Sequence, residues 1–209
     1  NGMLINQENV KHIKGKHLSK VSISLDGDRV YHNNLRKNNN AYDHALRGVR
    51  ILKSESIPVA MAMMINRENK HLIQAVIEDA ISVGADFFMI NDLIPTGRGS
   101  EIKDNCLSYS EYLEVTEEMQ DIHKQYGEKI RILWKGMDPG GKSDKDLGNI
   151  FTSKCGAALT ELTVNNEGYI LPCPFLPATT ENIKKNKLKE IWYNSSELSE
   201  YQRRDNLTG

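Results

Sequence analysis

The feature that most constrains the fold is an alternation of strand-like and helix-like segments through the first 135 residues. Strand patterns cover residues 20–25, 58–65, 86–94 and 129–134, and helical patterns cover 41–53, 69–83 and 108–126. Alternation with connections this short implies parallel strands joined by right-handed crossovers. We therefore predict an α/β fold in which the strands form a parallel sheet or barrel.

The last third of the sequence has a different pattern. Residues 136–154 have the composition of a linker, and residues 159–171 read as a β-hairpin, followed by a Pro-rich loop and a short helix near Trp192. This part is small for a core of its own, so a bound metal would help it to fold. We predict two modules, residues 1–135 and 155–209, joined by a linker at 136–154.

Composition narrows the range of partners. The 209 residues carry a formal net charge of -1, whereas binding to nucleic acid or an anionic membrane needs a basic surplus. The sequence contains neither an apolar run of about 20 residues, as a membrane span needs, nor a signal-peptide pattern. Three cysteines are too few and odd in number for a disulfide scaffold. We therefore expect a cytoplasmic protein that binds neither nucleic acid nor membrane.

Polar residues lie along the first predicted strand and at the ends of the next two. In the first strand Ser22, Ser24 and Asp26 alternate with apolar residues, which indicates either a solvated face or edge strand, or a face that meets a ligand. The later strand ends carry Asn66, Asn91, Asp92, Thr96 and Arg98. Because α/β folds bind ligands at the carboxyl ends of parallel strands, we predict a small-molecule site there.

The segment between the first strand and the first long helix adds His32 and Arg36 near the same edge. We expect a loop at residues 26–36 and a solvated or structural role for His32. The sequence has no Ser-His-Asp order, Walker loop or GxGxxG stretch, and Gly97 and Gly99 around Arg98 give only a weak phosphate signal.

Two stretches of the sequence carry a family resemblance. Residues Val21–Lys70, with SISLDG, a His and an Arg in the following segment, ALRG in the helix and a strand ending at Asn66, resemble the middle of a radical S-adenosylmethionine (radical SAM) enzyme. DLIPTGRG (Asp92–Gly99) resembles the end of the next strand in that family. The resemblance implies that the α/β module is part of a (β/α) radical-SAM-type barrel.

The C-terminal module is similar to the SPASM extension of the same enzymes. Cys155, a spacer, Gly168, four residues and Cys173 match its first half, and Asn182-Ile183, Leu188 and Ile191-Trp192 match the next stretch of that extension. The resemblance implies that Cys155 and Cys173 are thiolate ligands of an auxiliary iron–sulfur cluster, and soft thiolates suit such clusters or zinc. From the residues alone, two structural cysteines or a disulfide are the alternative.

The sequence also departs from the family. The C-x-x-x-C-x-x-C loop that holds the catalytic cluster is absent, and Cys106 lies outside both motifs. Two thiols do not complete a four-cysteine iron–sulfur site. We therefore expect a fragment that is inactive by itself.

The resemblance implies roles for individual residues. Ser24 would bind the methionine or ribose part of S-adenosylmethionine, Asn66 the ribose hydroxyls, and Leu93 the adenine. Arg36 and Arg98 would bind the cofactor carboxylate or an acidic substrate, since guanidinium matches carboxylate geometry. Second choices are Ser22 and Asp26, and Asp26 is expected rather to cap its loop. No catalytic base or radical relay stands out.

The implied activity is reductive cleavage of S-adenosylmethionine at a [4Fe-4S] cluster, giving a 5′-deoxyadenosyl radical. The substrate would be a tetrapyrrole of haem biosynthesis or a peptide, and the electron donor a ferredoxin or flavodoxin. A non-catalytic α/β module that binds a peptide or partner at an open sheet edge is one alternative. A small zinc- or disulfide-stabilised module appended to an α/β scaffold is another.

Overall fold

The computed structural model describes residues 1–135 and 156–203. The chain divides into two compact units, Asn1–Thr152 and Ser153–Gly209. Cys155 and the segment 136–154, predicted to be a linker, lie outside the described residues. Within the described ranges, no helix combines the length and the apolar character needed to cross a bilayer.

The first unit contains a four-stranded parallel sheet with the strand order β1-β2-β3-β4. The strands are β1 (Val21–Ser24), β2 (Val59–Ile65), β3 (Phe87–Asp92) and β4 (Arg131–Lys135). The helices are α1 (Gln7–Lys11), α2 (Arg29–Arg36), α3 (Ala41–Ser54), α4 (Ile73–Ser82) and α5 (Tyr109–Tyr126), with 3-10 helices at Lys70–Leu72 and Gly97–Asn105. The α/β fold and the parallel sheet predicted from the sequence are confirmed.

The two faces of the sheet have different side chains because successive strand residues point to opposite sides. One face packs against the helices, and its buried residues in β2 are Val59, Met61, Met63 and Ile65. The other face carries the smaller Ala60 and Ala62, which pair in register with Ser22 and Ser24. The two serines therefore lie on the face of the sheet that is opposite the main helical core.

The segment after β1 is helical where the sequence predicted a loop. Asp28 N-caps α2 by accepting a hydrogen bond from Tyr31 N at 2.8 Å, and Lys37 ends the helix in the left-handed region with φ 50°. The prediction was wrong because this eight-residue helix is mostly polar and shows no apolar repeat. The predicted helix after β2 is confirmed, although its first turn is a 3-10 helix. Gly84 follows it with φ 76°, as a residue at C′ requires.

The second unit is a short hairpin followed by two helices. Its elements are the antiparallel strands β5 (Thr163–Val164) and β6 (Ile170–Leu171), and the helices α6 (Leu188–Asn194) and α7 (Ser196–Gln202). The buried residues of its core are Ala158, Ile170, Ile191 and Leu198. The predicted hairpin and the predicted short helix are both present, although the paired strands are only two residues long.

Candidate functional site

The carboxyl ends of β1, β2 and β3 lie side by side at one edge of the sheet, since these strands are adjacent and parallel. Ser24 ends β1, Asn66 follows β2 directly, and Leu93 follows β3. The ladder continues past the strands, because Leu93 N donates to Ile65 O at 3.1 Å. The structure therefore brings to one edge the three strand-end residues that we predicted to contact a nucleoside.

Ser24 offers a hydroxyl group to this edge. Its side chain is half-buried, and within residues 1–135 and 156–203 the hydroxyl makes no hydrogen bond. Both its donor and its acceptor capacity are thus open to a ligand. In the described sheet β1 is also an edge strand, as the other interpretation of its polar row predicted.

Asn66 is fully buried, and its amide is already hydrogen-bonded within the protein. Its Oδ1 accepts from Glu68 N at 2.8 Å, and its Nδ2 donates to the Tyr31 hydroxyl at 2.9 Å. Burial raises the pKa of Tyr31. Contact between Asn66 and a ribose remains a prediction.

Asp26 lies just beyond β1 and is 1% exposed. Its Oδ1 accepts from Met64 N at 3.1 Å, and its Oδ2 accepts from Nε and Nη2 of Arg36 at 3.1 and 2.5 Å. Burial raises the pKa of Asp26, but the contacts with His32, Arg36 and Met64 outweigh burial and hold this pKa below its usual value. The ionised carboxylate therefore links the end of β1 to both β2 and α2.

His32 is also 1% exposed, so its role is structural rather than solvated. Its Nδ1 lies 3.1 Å from the Asp26 amide nitrogen and 3.4 Å from Asp26 Oδ2. The other ring nitrogen, Nε2, is buried and has no hydrogen-bond partner among the described residues.

Asn69 holds the same edge together, and sequence reasoning missed this role. Its Oδ1 accepts from Asn66 N at 2.7 Å, while its Nδ2 donates to Asp26 O at 2.7 Å and to Met64 O at 2.8 Å. The side chain is fully buried and all three of these bonds reach strand-end backbone. Asn69 and Tyr31 are therefore the two contributors to this edge that the sequence did not reveal.

The end of β3 is shaped by a tight backbone contact. Leu93 is 8% exposed, and a Cβ on Gly99 would lie 2.6 Å from Ile94 O, so only glycine fits there. Arg98, in the 3-10 helix that follows, is exposed and forms no ion pair within the described part of the chain. Cys106, a free thiol, donates to Leu93 O at 3.6 Å, which favours a structural role.

The Asp92 side chain points away from the edge formed by the strand ends. Its carboxylate accepts from the fully buried Trp134 Nε1 at 3.0 Å and from Tyr112, and burial raises the pKa of Asp92 despite these bonds. Asp92 follows the alternation of Phe88 and Ile90, which belong to the helical core. Of the two polar residues that end β3, Asn91 is the one on the other face.

In the second unit, Gly168 and Asn182 form one local structure. Gly168 has φ 94°, and a Cβ there would lie 2.8 Å from Asn182 Oδ1. Asn182 Nδ2 donates to Glu167 O at 3.2 Å, and Ile183 N donates to Gly168 O at 2.9 Å. The glycine and the Asn-Ile pair that carry the SPASM resemblance therefore fix the hairpin against the following loop.

Of the two cysteines that the resemblance assigns to an auxiliary cluster, Cys173 is within the described residues. Cys173 is a half-buried free thiol directly after the hairpin, and Cys155 lies outside the described residues. No group of three or more His, Cys, Asp or Glu residues in the described ranges could hold a metal. With three cysteines in all, the chain does not supply a complete four-thiolate site at one place.

The chain is similar to known proteins in both of its parts. The SPASM family model, an iron–sulfur cluster-binding domain, matches residues 155–208. AdoMet-dependent heme synthase of Nitratidesulfovibrio vulgaris is 25% identical over 222 residues, which cover 100% of this chain and 60% of that protein. Fe-coproporphyrin III synthase of Methanosarcina barkeri is 31% identical over 129 residues, or 62% of this chain and 32% of that protein.

The fold is also that of a solved structure. Streptococcus suis SuiB bound to its precursor peptide SuiA matches 97% of this chain and 48% of its own chain, with a TM-score of 0.76 and 15% identity. This chain spans only part of the length of each of these proteins. The shared α/β fold, the similarity to a heme synthase along the whole of this chain and the SPASM match at residues 155–208 all support the resemblance to radical SAM proteins that carry a SPASM extension.

Proposed function

We propose that this chain is the part of a radical SAM enzyme that binds the nucleoside of S-adenosylmethionine and begins the auxiliary-cluster domain. The observation that carries the proposal is the convergence of Ser24, Asn66 and Leu93 at one strand-end edge, in a chain whose residues 155–208 match SPASM. The complete enzyme, which we expect to be cytoplasmic, would use the 5′-deoxyadenosyl radical that its cluster generates.

The residues of this edge have distinct proposed roles. The hydroxyl of Ser24 binds the methionine or ribose part of the cofactor, and the apolar Leu93 packs against the adenine. Asn66 binds the ribose. Arg36 and the exposed Arg98 receive carboxylates of the cofactor or of an acidic substrate. These roles concern binding and orientation, since the radical chemistry belongs to the cofactor.

We assign two ligands of the auxiliary cluster to this chain. Ala158 N donates to Pro172 O at 3.1 Å, so the described chain just after Cys155 pairs with the residue before Cys173. This contact supports the assignment of Cys155 and Cys173 to one iron–sulfur cluster. Because a [4Fe-4S] cluster takes about four thiolates, ligands from outside this chain are needed, and we propose no catalysis by the chain alone.

A tetrapyrrole is the substrate class that we propose first, with a ferredoxin or flavodoxin as electron donor. The support is that a heme synthase is similar along the whole chain and a coproporphyrin-related enzyme along 62% of it. A peptide is the second candidate, because the fold is shared with SuiB, which was solved with a precursor peptide bound.

Anaerobic reconstitution with iron and sulfide, in a parent protein that supplies the remaining thiolates, tests the cluster assignment. We expect a brown iron–sulfur absorption that decreases strongly in Cys173→Ala and Cys155→Ala, while the control Cys106→Ala is unchanged. Tight stoichiometric zinc binding instead would favour a zinc module appended to an α/β scaffold. Absorption titration with iron coproporphyrin III then tests the substrate class, and absence of binding would favour the peptide.

A further inference from the structure

We propose that Asp26 is a positioning residue: it holds the Arg36 guanidinium by one edge and leaves the other edge for the carboxylate of the bound cofactor. This inference rests on the proposed function and deepens it. In this role the buried Asp26 does not contact the ligand itself. It controls how the neighbouring Arg36 contacts the ligand.

The hydrogen bonds of Arg36 are all on one side of the guanidinium. Nε and Nη2 both donate to Asp26 Oδ2, and Nη1 donates to no residue in the described ranges. The Arg36 side chain is 34% exposed, whereas that of Asp26 is 1% exposed. A guanidinium has five donors in a rigid fork, so the edge that carries Nη1 can still take a carboxylate.

Asp26 is itself fixed from several directions. Its carboxylate accepts from Met64 N, its carbonyl oxygen accepts from Asn69 Nδ2, and its amide donates to His32 Nδ1. A buried ion pair contributes little net stability, because the lost hydration of both charges offsets their attraction. We infer that this pair fixes the direction of the Arg36 side chain.

The fold contains a matched control at the other end of β2. Asp86 accepts from Val59 N at 2.8 Å and from Lys53 Nζ at 2.6 Å, so it joins a β2 amide to a basic side chain just as Asp26 does. It lies before β3, at the amino ends of the strands and away from the proposed ligand edge. Asp86→Asn therefore removes the same kind of contact without disturbing Arg36.

The experiment compares two ligands that differ only in the carboxylate: S-adenosylmethionine and its decarboxylated form. Calorimetry measures both affinities in the wild-type chain and in the Asp26→Asn and Asp86→Asn variants. We expect Asp26→Asn to weaken S-adenosylmethionine binding about tenfold, the size of one charge-assisted hydrogen bond, and to leave the decarboxylated ligand unchanged. Asp86→Asn should leave the ratio of the two affinities unchanged.

The possible failures are distinguishable. A wild-type chain that binds neither ligand overturns the proposed function. Equal weakening of both ligands in Asp26→Asn, or no weakening of either, overturns the positioning role alone. Should Asp26→Asn fail to fold, hydrogen exchange of the Arg36 Nε–H in the wild-type chain decides, because a held guanidinium protects this proton and fast exchange contradicts the inference.

Discussion

At the scale of single residues, Asn69 shows how much one buried amide can organise. It satisfies two carbonyl groups and one amide group of the strand ends. We predict that Asn69→Ala lowers the free energy of unfolding by about 3 kcal/mol, since each buried unsatisfied group costs about 1–3 kcal/mol. Urea denaturation measures this change.

Asn9 provides the control for that prediction. It is exposed, and its amide donates one hydrogen bond, to Leu4 O at 2.7 Å. Asn9→Ala should therefore cost less than about 1 kcal/mol. Equal effects of the two substitutions would show that the burial of Asn69 does not matter.

The sequence predicted some residues of this edge and missed others for a physical reason. Ser24 could be placed on the polar row of the first strand because strand alternation is a local pattern, whereas Leu93 was predicted from the family resemblance. The contacts Tyr31–Asn66 and Asn69–Asp26 join residues that are 35 and 43 positions apart, so no local pattern marks them. The ion pair of Asp26 with Arg36 depends on α2, which the sequence did not predict.

At the scale of elements, α5 begins with a capping box that also carries a charge. Ser108 and Glu111 hydrogen-bond each other reciprocally, and Arg67 Nε lies 3.0 Å from both carboxylate oxygens of Glu111. The amide and hydroxyl of Ser108, together with Arg67, lower the pKa of Glu111 to about 2. This residue connects the segment after β2 to the start of α5.

Glu111→Gln isolates the contribution of that charge, because Gln at this position still completes a capping box. A lowered pKa in the folded state stabilises the fold above the unfolded value of 4.5, and this stabilisation is lost as the pH falls towards about 2. We therefore predict that wild type is more stable than Glu111→Gln at pH 6 and that the difference decreases between about pH 4.5 and 3. Urea midpoints across this range measure it, and a difference that is constant with pH would contradict the assignment.

The hairpin of the second unit gives another prediction at this scale. Gly168→Ala places a Cβ 2.8 Å from Asn182 Oδ1 at a residue with φ 94°, so both strain and a clash oppose it. Gly15→Ala is the control, because Gly15 has φ 74° with no atom within 4 Å of a Cβ. We expect Gly15→Ala to cost about 1 kcal/mol and Gly168→Ala clearly more. Urea denaturation of both variants, with hydrogen exchange at Ile170 and Ile183, measures the loss, and similar costs would mean that Asn182 yields easily.

At the scale of the whole molecule, the acidic residues determine the response to pH. The pKa is lowered in the folded state at Asp26, Asp43, Glu78, Asp86 and Glu111, and raised at Asp92 and Glu118. The first group stabilises the fold at neutral pH and loses this effect on acidification, whereas the second has the opposite sign. We predict that the urea concentration at the midpoint of unfolding decreases as the pH is lowered from about 5 to 3. A midpoint that rises over this interval would show that the two residues with raised pKa values dominate.

The architecture was more predictable than the site. Four strands in alternation with helices determine a parallel sheet because the connections leave few other topologies. The polar helix α2 and the two-residue strands β5 and β6 contain too few apolar residues for their bounds to be predicted from the sequence. Whether Asn66 and Arg36 can contact a ligand depends on which side of the Asn66 amide and of the Arg36 guanidinium is already hydrogen-bonded within the protein. Those hydrogen bonds come from residues elsewhere in the sequence.

The attachment of β2 at both ends has a consequence for engineering. An aspartate beside each neighbouring strand accepts a hydrogen bond from the β2 backbone: Asp86 accepts from Val59 N, and Asp26 accepts from Met64 N. A shift of β2 by one residue along its neighbours would break both hydrogen bonds, so they are compatible with only one register of this strand. In mutant libraries that vary the segments after β1 and β3, β2 should therefore keep its position in the sheet. A change of ligand preference in such libraries can then be attributed to the varied segments.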